Sequence, residues 1–305
     1  MVKVRPEMNL VKLVERFRGE DECRAYLEEL RWPGEAGIEC PRCGGNTISR
    51  IRDRNQFDCD SCRYQFSVTA GTIFHDTHLS LWKWFAAVYL IVESKKDISA
   101  KQMERTLGTT YRTAWHLNHR IRATFKEVDA QLLKGIVEAD ETFVGGKVEG
   151  MGRGYRGNKT VVVGAFQRDG AIRLQAVRGR DRETLHGFIR ENVVGDAGFA
   201  AIYTDEWEAY KGIADKDTKH ETVNHSQGEY VRGDVHTNSM ENVWSLLARS
   251  IIGSYHHVST KHLDAYLDEL EFRFNNRENP YMFRDAMLKL LLAETLPYAK
   301  LIRDE

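Results

Sequence analysis

The chain has 305 residues, 42% of them hydrophobic and 29% charged, and a formal net charge of −1. This is ordinary globular composition, which excludes a disordered chain and a disulfide-stapled secreted scaffold. The longest apolar run, Phe85 to Val92, falls far short of the ~20 residues of a membrane helix. The N-terminus carries no apolar stretch of the secretory kind, so a cytoplasmic protein with no membrane partner is expected. The near-zero charge is unevenly spread: residues 1–135 carry 22 basic and 18 acidic side chains, the remainder 22 and 27. Ile98 to Lys126 holds six Lys or Arg against one Glu, and Lys147 to Arg182 holds nine against three. Such patches can meet phosphate even when the whole chain is neutral.

In chain order, Leu10 to Leu30 has helical spacing and predicts one N-terminal helix, closed by Arg31-Trp32-Pro33-Gly34 and burying the unpartnered Cys23. Next come Cys40-Pro-Arg-Cys43 and Cys59-Asp-Ser-Cys62, a C-x2-C-x15-C-x2-C pattern. Each knuckle converges two thiolates, and two knuckles close a tetrahedral sulfur site that suits one structural Zn2+ with no open coordination position. The short strand-like segments Ile48–Ile51, Gln56-Phe57 and Arg63–Val68 complete a zinc ribbon too small to hold itself together without metal. Leu79 to Val92 reads as an aromatic core helix. A capped helix over Ile98–Gly108 and a second over Thr109–Phe125 form a helix-turn-helix pattern. Lys101, Arg112, Arg120, Arg122 and Lys126 are then expected on its DNA-facing side.

Ile136 to Gly146 is a strand with Glu138 and Asp140 on one face and Glu141 on the other. Thr160–Phe166 and Ile172–Val177 form a hairpin through Asp169-Gly170, and Arg182–Val193 is a helix. Phe199–Thr204 is a buried strand ending on Asp205, a further strand is expected from Thr222, and Asn238–Ile252 is an amphipathic helix with Glu241 in its first turn. That order of elements matches a ribonuclease-H-like domain. Asp140, Asp205 and Glu241 would supply hard oxygen donors for two Mg2+ or Mn2+ ions. The Gly-rich stretch Gly145–Gly157, with Lys147, Arg153, Arg156 and Lys159 in or beside it, reads as a hairpin loop able to touch a DNA backbone. His225, His236, His256, His257 and His262 lack the spacing of a second metal site. Thr260–Asn276 is a packing helix.

The fold class expected is mixed, α+β or α/β: a ribonuclease-H-like mixed sheet with helices, preceded by a small zinc ribbon and a helix-turn-helix region. The expected segments are an N-terminal helix (1–36), the zinc ribbon (37–70), the helical DNA-binding region (71–130), the catalytic domain (131–280) and a C-terminal helical tail (281–305).

Several motifs together carry a resemblance: Cys40-Pro-Arg-Cys43, Gly71-Thr72-Ile73-Phe74, Leu107-Gly108 with Thr113-Ala114-Trp115, Ala139-Asp140-Glu141-Thr142-Phe143-Val144-Gly145-Gly146-Lys147, Tyr203-Thr204-Asp205, His236-Thr237-Asn238, Glu241 with Trp244-Ser245-Leu246-Leu247, and Tyr255-His256-His257-Val258-Ser259. The chain resembles the bacterial insertion-sequence transposases that join an N-terminal zinc ribbon to a DDE-type catalytic domain, from about Phe17 to Arg277. The resemblance implies Asp140, Asp205 and Glu241 as catalytic acids holding two Mg2+ or Mn2+. It implies binding to the element's terminal inverted repeats and to target DNA, metal-dependent cleavage and strand transfer, and a homo-oligomer on DNA in the bacterial nucleoid. The rival readings are a DNA-binding regulator with an inactive catalytic domain and a nuclease that hydrolyses without joining. Members of this family commonly carry a Lys seven residues after the last acid; here Ala248 stands there, close to the Glu241 face, while Arg249, a candidate phosphate contact, is rotated about 80° from that face.

Overall fold

The computed structural model describes residues 6–34, 37–146, 157, 159–193, 200–214, 218–224, 227–229 and 231–303. The chain divides into two compact units, Met1–Phe125 together with Glu278–Glu305, and Lys126–Arg277.

The first unit begins with two helices, α1 (Leu10–Arg16) and α2 (Glu20–Arg31), where the apolar spacing predicts one. The break has a physical cause. Three acids, Glu20, Asp21 and Glu22, follow Gly19 and favour a fresh helix N-terminus there. Leaving the helix at Phe17 turns that ring into the core, 4.7 Å from Phe85 and 5.1 Å from Tyr26, and frees its carbonyl to accept from Trp82 Nε1 at 2.7 Å. Cys23 is fully buried in α2. A three-stranded antiparallel sheet follows, β1 (Ile48–Ile51), β2 (Gln56–Cys59) and β3 (Gln65–Phe66), in the order β1-β2-β3. Trp32 packs edge-on against Phe57 and Phe66 beneath it.

Helix α3 (Leu81–Glu93) is the apolar centre of this unit, with Trp84, Phe85, Ala87, Val88 and Ile91 buried. Its N-terminus is capped from a distance: the Glu20 carboxylate accepts from the Leu81 and Trp82 amides at 3.0 and 3.2 Å. Helices α4 (Ala100–Leu107) and α5 (Tyr111–Arg122) form the expected hairpin. Ser99 caps α4, Thr110 caps α5, and Gly108 takes the left-handed conformation (φ 58°) that the turn requires. Two later helices, labelled α9 (Met282–Leu292) and α10 (Tyr298–Ile302), belong to this same unit. Phe283 of α9 lies 6.0 Å from Phe85.

The second unit is a five-stranded sheet built from β4 (Ile136–Val144), β5 (Thr160–Gln167), β6 (Ile172–Val177), β7 (Ala200–Thr204) and β8 (Thr218–Thr222), in the order β6-β5-β4-β7-β8. β5 runs antiparallel to both its neighbours, while β7 is parallel to β4 and β8 to β7. Helix α6 (Arg182–Asn192) connects β6 to β7, and α7 (Asn238–Ser250) and α8 (Leu263–Asn275) follow β8. Counted within the unit, the strand order is 3-2-1-4-5 with strand 2 reversed, which is the ribonuclease-H-like fold. β8 ends at Thr222, where the sequence suggested a start. Its Thr-Lys-His-Glu-Thr run lacks an apolar pattern, and polar residues are what an edge strand needs.

Both faces of the sheet are covered, which explains the unbroken apolar run in β5. Val161, Val163 and Ala165 face α6 with its Leu185, Phe188 and Ile189. Val162 and Phe166 face α7 and α8, with Met240, Val243, Leu247, Leu263 and Leu267. Gly164 falls on the second face, and a Cβ there would lie 2.5 Å from Met240 Cε and 2.6 Å from the Trp244 ring. The missing side chain is what lets α7 lie close to the sheet. Gly164→Ala is therefore expected to overpack this contact and cost about 1–3 kcal/mol, measured by urea denaturation; an unchanged midpoint would show that α7 yields freely.

Candidate functional site

The two strands that bring the acids together are in register. Ile136 pairs with Ala201, Val137 with Ile202 and Glu138 with Tyr203. Each pair is 65 residues apart, the same separation as Asp140 and Asp205. Two steps beyond the last pair, the register sets Asp205, at the end of β7, opposite Asp140 in β4. The two carboxylates feel one another: Asp140 is pushed up to about 7 by burial first, with Glu141 and Asp205 adding to the rise and the Trp244 hydrogen bond opposing it. Asp205 Oδ1 accepts from the Trp207 amide at 2.9 Å, which fixes it at the start of the following turn.

The third acid arrives on α7. Glu138, with no exposure in mid-strand, accepts from the Ser239 amide at 2.8 Å, from Ser239 Oγ at 3.0 Å and from the Met240 amide at 3.4 Å. It thus sits against the positive end of the helix dipole. Arg168 Nε donates to it at 2.8 Å, and His236 Nδ1 lies 3.2 Å away, at ion-pair distance without hydrogen-bond alignment. One turn further along α7, Trp244 Nε1 donates to Asp140 Oδ2 at 2.8 Å. Glu241 stands between these two anchors, exposed, in the first turn. Glu141 points to the opposite face, where Tyr210 donates to it at 2.9 Å and Arg180 reaches it at 3.4 Å. Arg180 itself lies over the Trp207 ring at 3.7 Å. The sequence reading missed Arg168, Arg180 and Tyr210, and it held Trp244 only as a motif residue without its bond to Asp140. A buried Glu in a central strand does demand a cation, but alternation names the face and not the partner.

The hard carboxylate oxygens of Asp140, Asp205 and Glu241 suit Mg2+ or Mn2+. Among the described residues Asp140 has no cationic side chain beside it; its partners are Trp244 and the Glu141 amide, so its charge is left for an ion to satisfy. Ala248 and Arg249 are both exposed on α7, and Arg249 donates back to Ser245 Oγ at 2.6 Å.

The cysteines form a second centre. Cys40 and Cys62 Sγ lie 3.7 Å apart, Cys43 and Cys59 3.6 Å, and all four within 4.8 Å of one another. A tetrahedron of thiolates about zinc has edges of ~3.8 Å, so the donor set and its size fit. Among the described residues it is the one group of three or more possible ligands drawn so tightly together.

The basic positions divide. Lys101 is exposed and pairs with Glu104 at 2.6 Å; Arg112 is exposed at the start of α5 and lies over the Tyr298 ring at 4.2 Å; Lys126 is exposed in the second unit. Arg120 and Arg122 correct the expectation of an outward DNA-facing side. They are only 9% and 1% exposed, because residues Leu117–Arg122 are buried all round the helix. Arg120 lies over the Trp84 ring at 4.7 Å. Lys147, Arg153, Arg156 and His225 lie outside the described residues, and no described helix is long and apolar enough to cross a membrane.

Two family models match the chain. Residues 132–275 match the ISXO2-like transposase domain and residues 18–65 the transposase zinc-ribbon domain. A protein of the transposable element ISH50 from Halobacterium salinarum is 28% identical over 286 residues, covering 85% of this chain and 92% of its own. A transposase-like protein of Haemophilus influenzae is 30% identical over 95 residues, 31% of this chain and 73% of its own. Among solved structures, the Mos1 strand transfer complex aligns with a TM-score of 0.29 at 11% identity, over 68% of this chain and 75% of that one. The simian T-cell lymphotropic virus intasome aligns at 0.28 and 12%, over 54% of this chain, which spans 58% of that one. The chain belongs to the insertion-sequence transposases that carry an N-terminal zinc ribbon.

Two outcomes follow from the geometry. Elemental analysis should find one zinc per chain, and Cys43→Ser should lose it and melt the ribbon while the sheet of residues 126–277 stays folded; zinc-free protein with an intact ribbon would exclude the site. Asp140 has a folded pKa above its unfolded value, so its contribution to stability is present below about pH 4 and lost as pH rises toward 7. In metal-free protein Asp140→Asn should therefore stabilise by on the order of 2–4 kcal/mol at pH 8 and by little at pH 4. Denaturation at the two pH values measures the difference, and equal effects at both would contradict it.

Proposed function

We propose that the protein is the transposase of an insertion sequence, binding the DNA ends of its element, cleaving them and joining them to a target. The observation that carries the reading is the β4–β7 register, which sets Asp140 opposite Asp205, together with α7, which brings Glu241 within one turn of the Trp244–Asp140 hydrogen bond. Asp140, Asp205 and Glu241 would hold two divalent cations, whose chemistry is to align an attacking oxygen and stabilise the leaving one in an in-line displacement at phosphorus. The protein's share is placement. The sheet fixes two carboxylates, the Glu138 anchor fixes the helix that carries the third, and Trp244 holds the Asp140 carboxyl in one orientation. Water is the nucleophile in cleavage and a DNA 3′-hydroxyl in joining, and one carboxylate set can serve both because both are attacks on a phosphodiester.

The zinc ribbon and the α4–α5 hairpin are the modules assigned to the element's ends, with Lys101 and Arg112 as exposed contacts and Lys147 and Arg249 as further candidates; joining two ends calls for a homo-oligomer. The DNA assignment draws support from the family to which the chain belongs and from the cationic balance of Ile98–Lys126.

Purified protein with Mg2+ and labelled DNA carrying the element's own ends provides the test. Asp140→Asn, Asp205→Asn and Glu241→Gln are each expected to lower cleavage by at least about 10³-fold while end binding stays within about threefold, since affinity comes from phosphate neutralisation elsewhere. Near-native cleavage by any of the three removes that residue from the ligand set, and cleavage without joined product from the wild type would make the protein a hydrolytic nuclease.

A further inference from the structure

We propose that the cavity beside α5 in the first unit is a phosphate-binding pocket, and that in the reaction it takes a backbone phosphate of the bound DNA; this last step rests on the transposase reading above. The cavity has a volume of about 320 Å³ and is lined by Arg112, Thr113, His116 and Arg120 of α5, with Trp84 of α3 and Tyr298 of α10 among its walls. Arg112, His116 and Arg120 recur every four residues, so they form one stripe along the helix. The sequence pattern reads that stripe as outward-facing, whereas the fold turns it into a pocket.

Arg120 is the central observation. It is nine-tenths buried, and its Nε has no hydrogen-bond partner. Its contacts are the Trp84 face at 4.7 Å and the His75 carbonyl at 3.5 Å, the outer limit of a hydrogen bond. Among the described residues neither Arg120 nor Arg112 has a carboxylate partner. A buried guanidinium without a counter-charge is costly, and burial holds Arg120 down to about 10 while leaving it charged at neutral pH. The acid that lines the cavity, Asp76, has an 89% exposed side chain and lies 3.6 Å from His75 Nε2, so it does not neutralise the arginines. His116 is held below its ordinary value by burial and by both arginines, and its Nε2 lies 2.9 Å from the Leu296 carbonyl. What remains is two guanidinium groups without a counter-charge in a cavity walled partly by Trp84 and Tyr298, where an anion is attracted more strongly than in water. The planar donor fork of Arg matches phosphate oxygens.

The test uses the full-length, zinc-loaded chain with inorganic phosphate as probe, read by thermal melting against chloride at equal ionic strength. About 10 mM phosphate is expected to raise the wild-type Tm by about 2–4 °C. Arg120→Gln should raise the Tm in phosphate-free buffer, because it removes an uncompensated buried charge, and should abolish the increment. A purely structural arginine predicts the reverse, a lowered Tm and an unchanged increment, and that result overturns the proposal. Arg112→Gln, at an exposed position, should leave the basal Tm within about 1 °C and shrink the increment; it carries the test if the Arg120 variant does not fold, and an undiminished increment overturns the pocket. The DNA arm is a salt titration of duplex binding, in which Arg112→Gln should flatten the slope of log K against log salt by about 0.9. A lost phosphate increment with an unchanged slope assigns the pocket to free phosphate and overturns its DNA role. A chain that gains the phosphate increment yet never cleaves its element's ends would retire the transposase reading while leaving the pocket standing.

Discussion

A buried carboxylate has to be answered, and the way Glu138 is answered organises the second unit. It sits unexposed in the central strand, where an unpaired charge would shift its protonation or unfold the strand. Arg168 supplies one partner, and the Ser239 hydroxyl and the amides of Ser239 and Met240 supply others. Because those amides are the unsatisfied donors at the start of α7, the same interaction that pays for the charge also fixes where the helix begins. The gap at Gly164 then admits Trp244, and Trp244 reaches Asp140. Glu241 is carried to its place by these three constraints without making any of the contacts itself.

The strand Glu138-Ala139-Asp140-Glu141 holds three acids whose fates differ by partner. Glu138 meets Arg168 and a helix N-terminus; Glu141 meets Tyr210 and Arg180 on the other face. Each of these two is a closed account of donors and acceptors. Asp140 lies between them with an indole and an amide as donors and a second carboxylate, Asp205, near enough to raise its pKa. Neutral donors orient a carboxylate without cancelling its charge, so Asp140 keeps a preference for a cation that its neighbours have lost.

Much of this was legible in the sequence, for definite reasons. Metal ligands of one residue type at knuckle spacing leave little freedom, and Cys40, Cys43, Cys59 and Cys62 do converge. Strand alternation assigned Glu138 and Asp140 to one face and Glu141 to the other, and Tyr210 and Trp244 lie on the two sides accordingly. Capping chemistry located α4, because Ser99 and Gly108 act locally. What failed depended on distant residues. The break between α1 and α2 is fixed partly by Trp82 and Phe85, more than sixty residues away. β8 was expected from Thr222 and instead ends there, because an edge strand need not be apolar and its polar run carries no alternation to locate it. Gly164 in a Val-rich run signals close backbone approach, yet its neighbours Met240 and Trp244 come from far along the chain.

The stripe on α5 shows the same limit in its sharpest form. Periodicity fixes the angle at which Arg112, His116 and Arg120 leave the helix, but not what lies opposite: the basic spacing suits a groove-reading face, and Trp84 and Tyr298 instead wall part of it in. Once the fold is known, a different rule separates the charges. Those with a structural task are paired inside the protein, as Glu138 is with Arg168 and Arg173 with Glu271. Asp140, half-buried, and Arg120, buried, have no opposite charge beside them among the described residues, and each weakens the fold by remaining so. Their signs are opposite, and the ligands that would relieve them are a divalent cation and a phosphate oxygen. Those are the two kinds of charge that a phosphodiester displacement must hold in place, so under the proposed function the cost left in the folded chain would be recovered when both kinds of ligand bind.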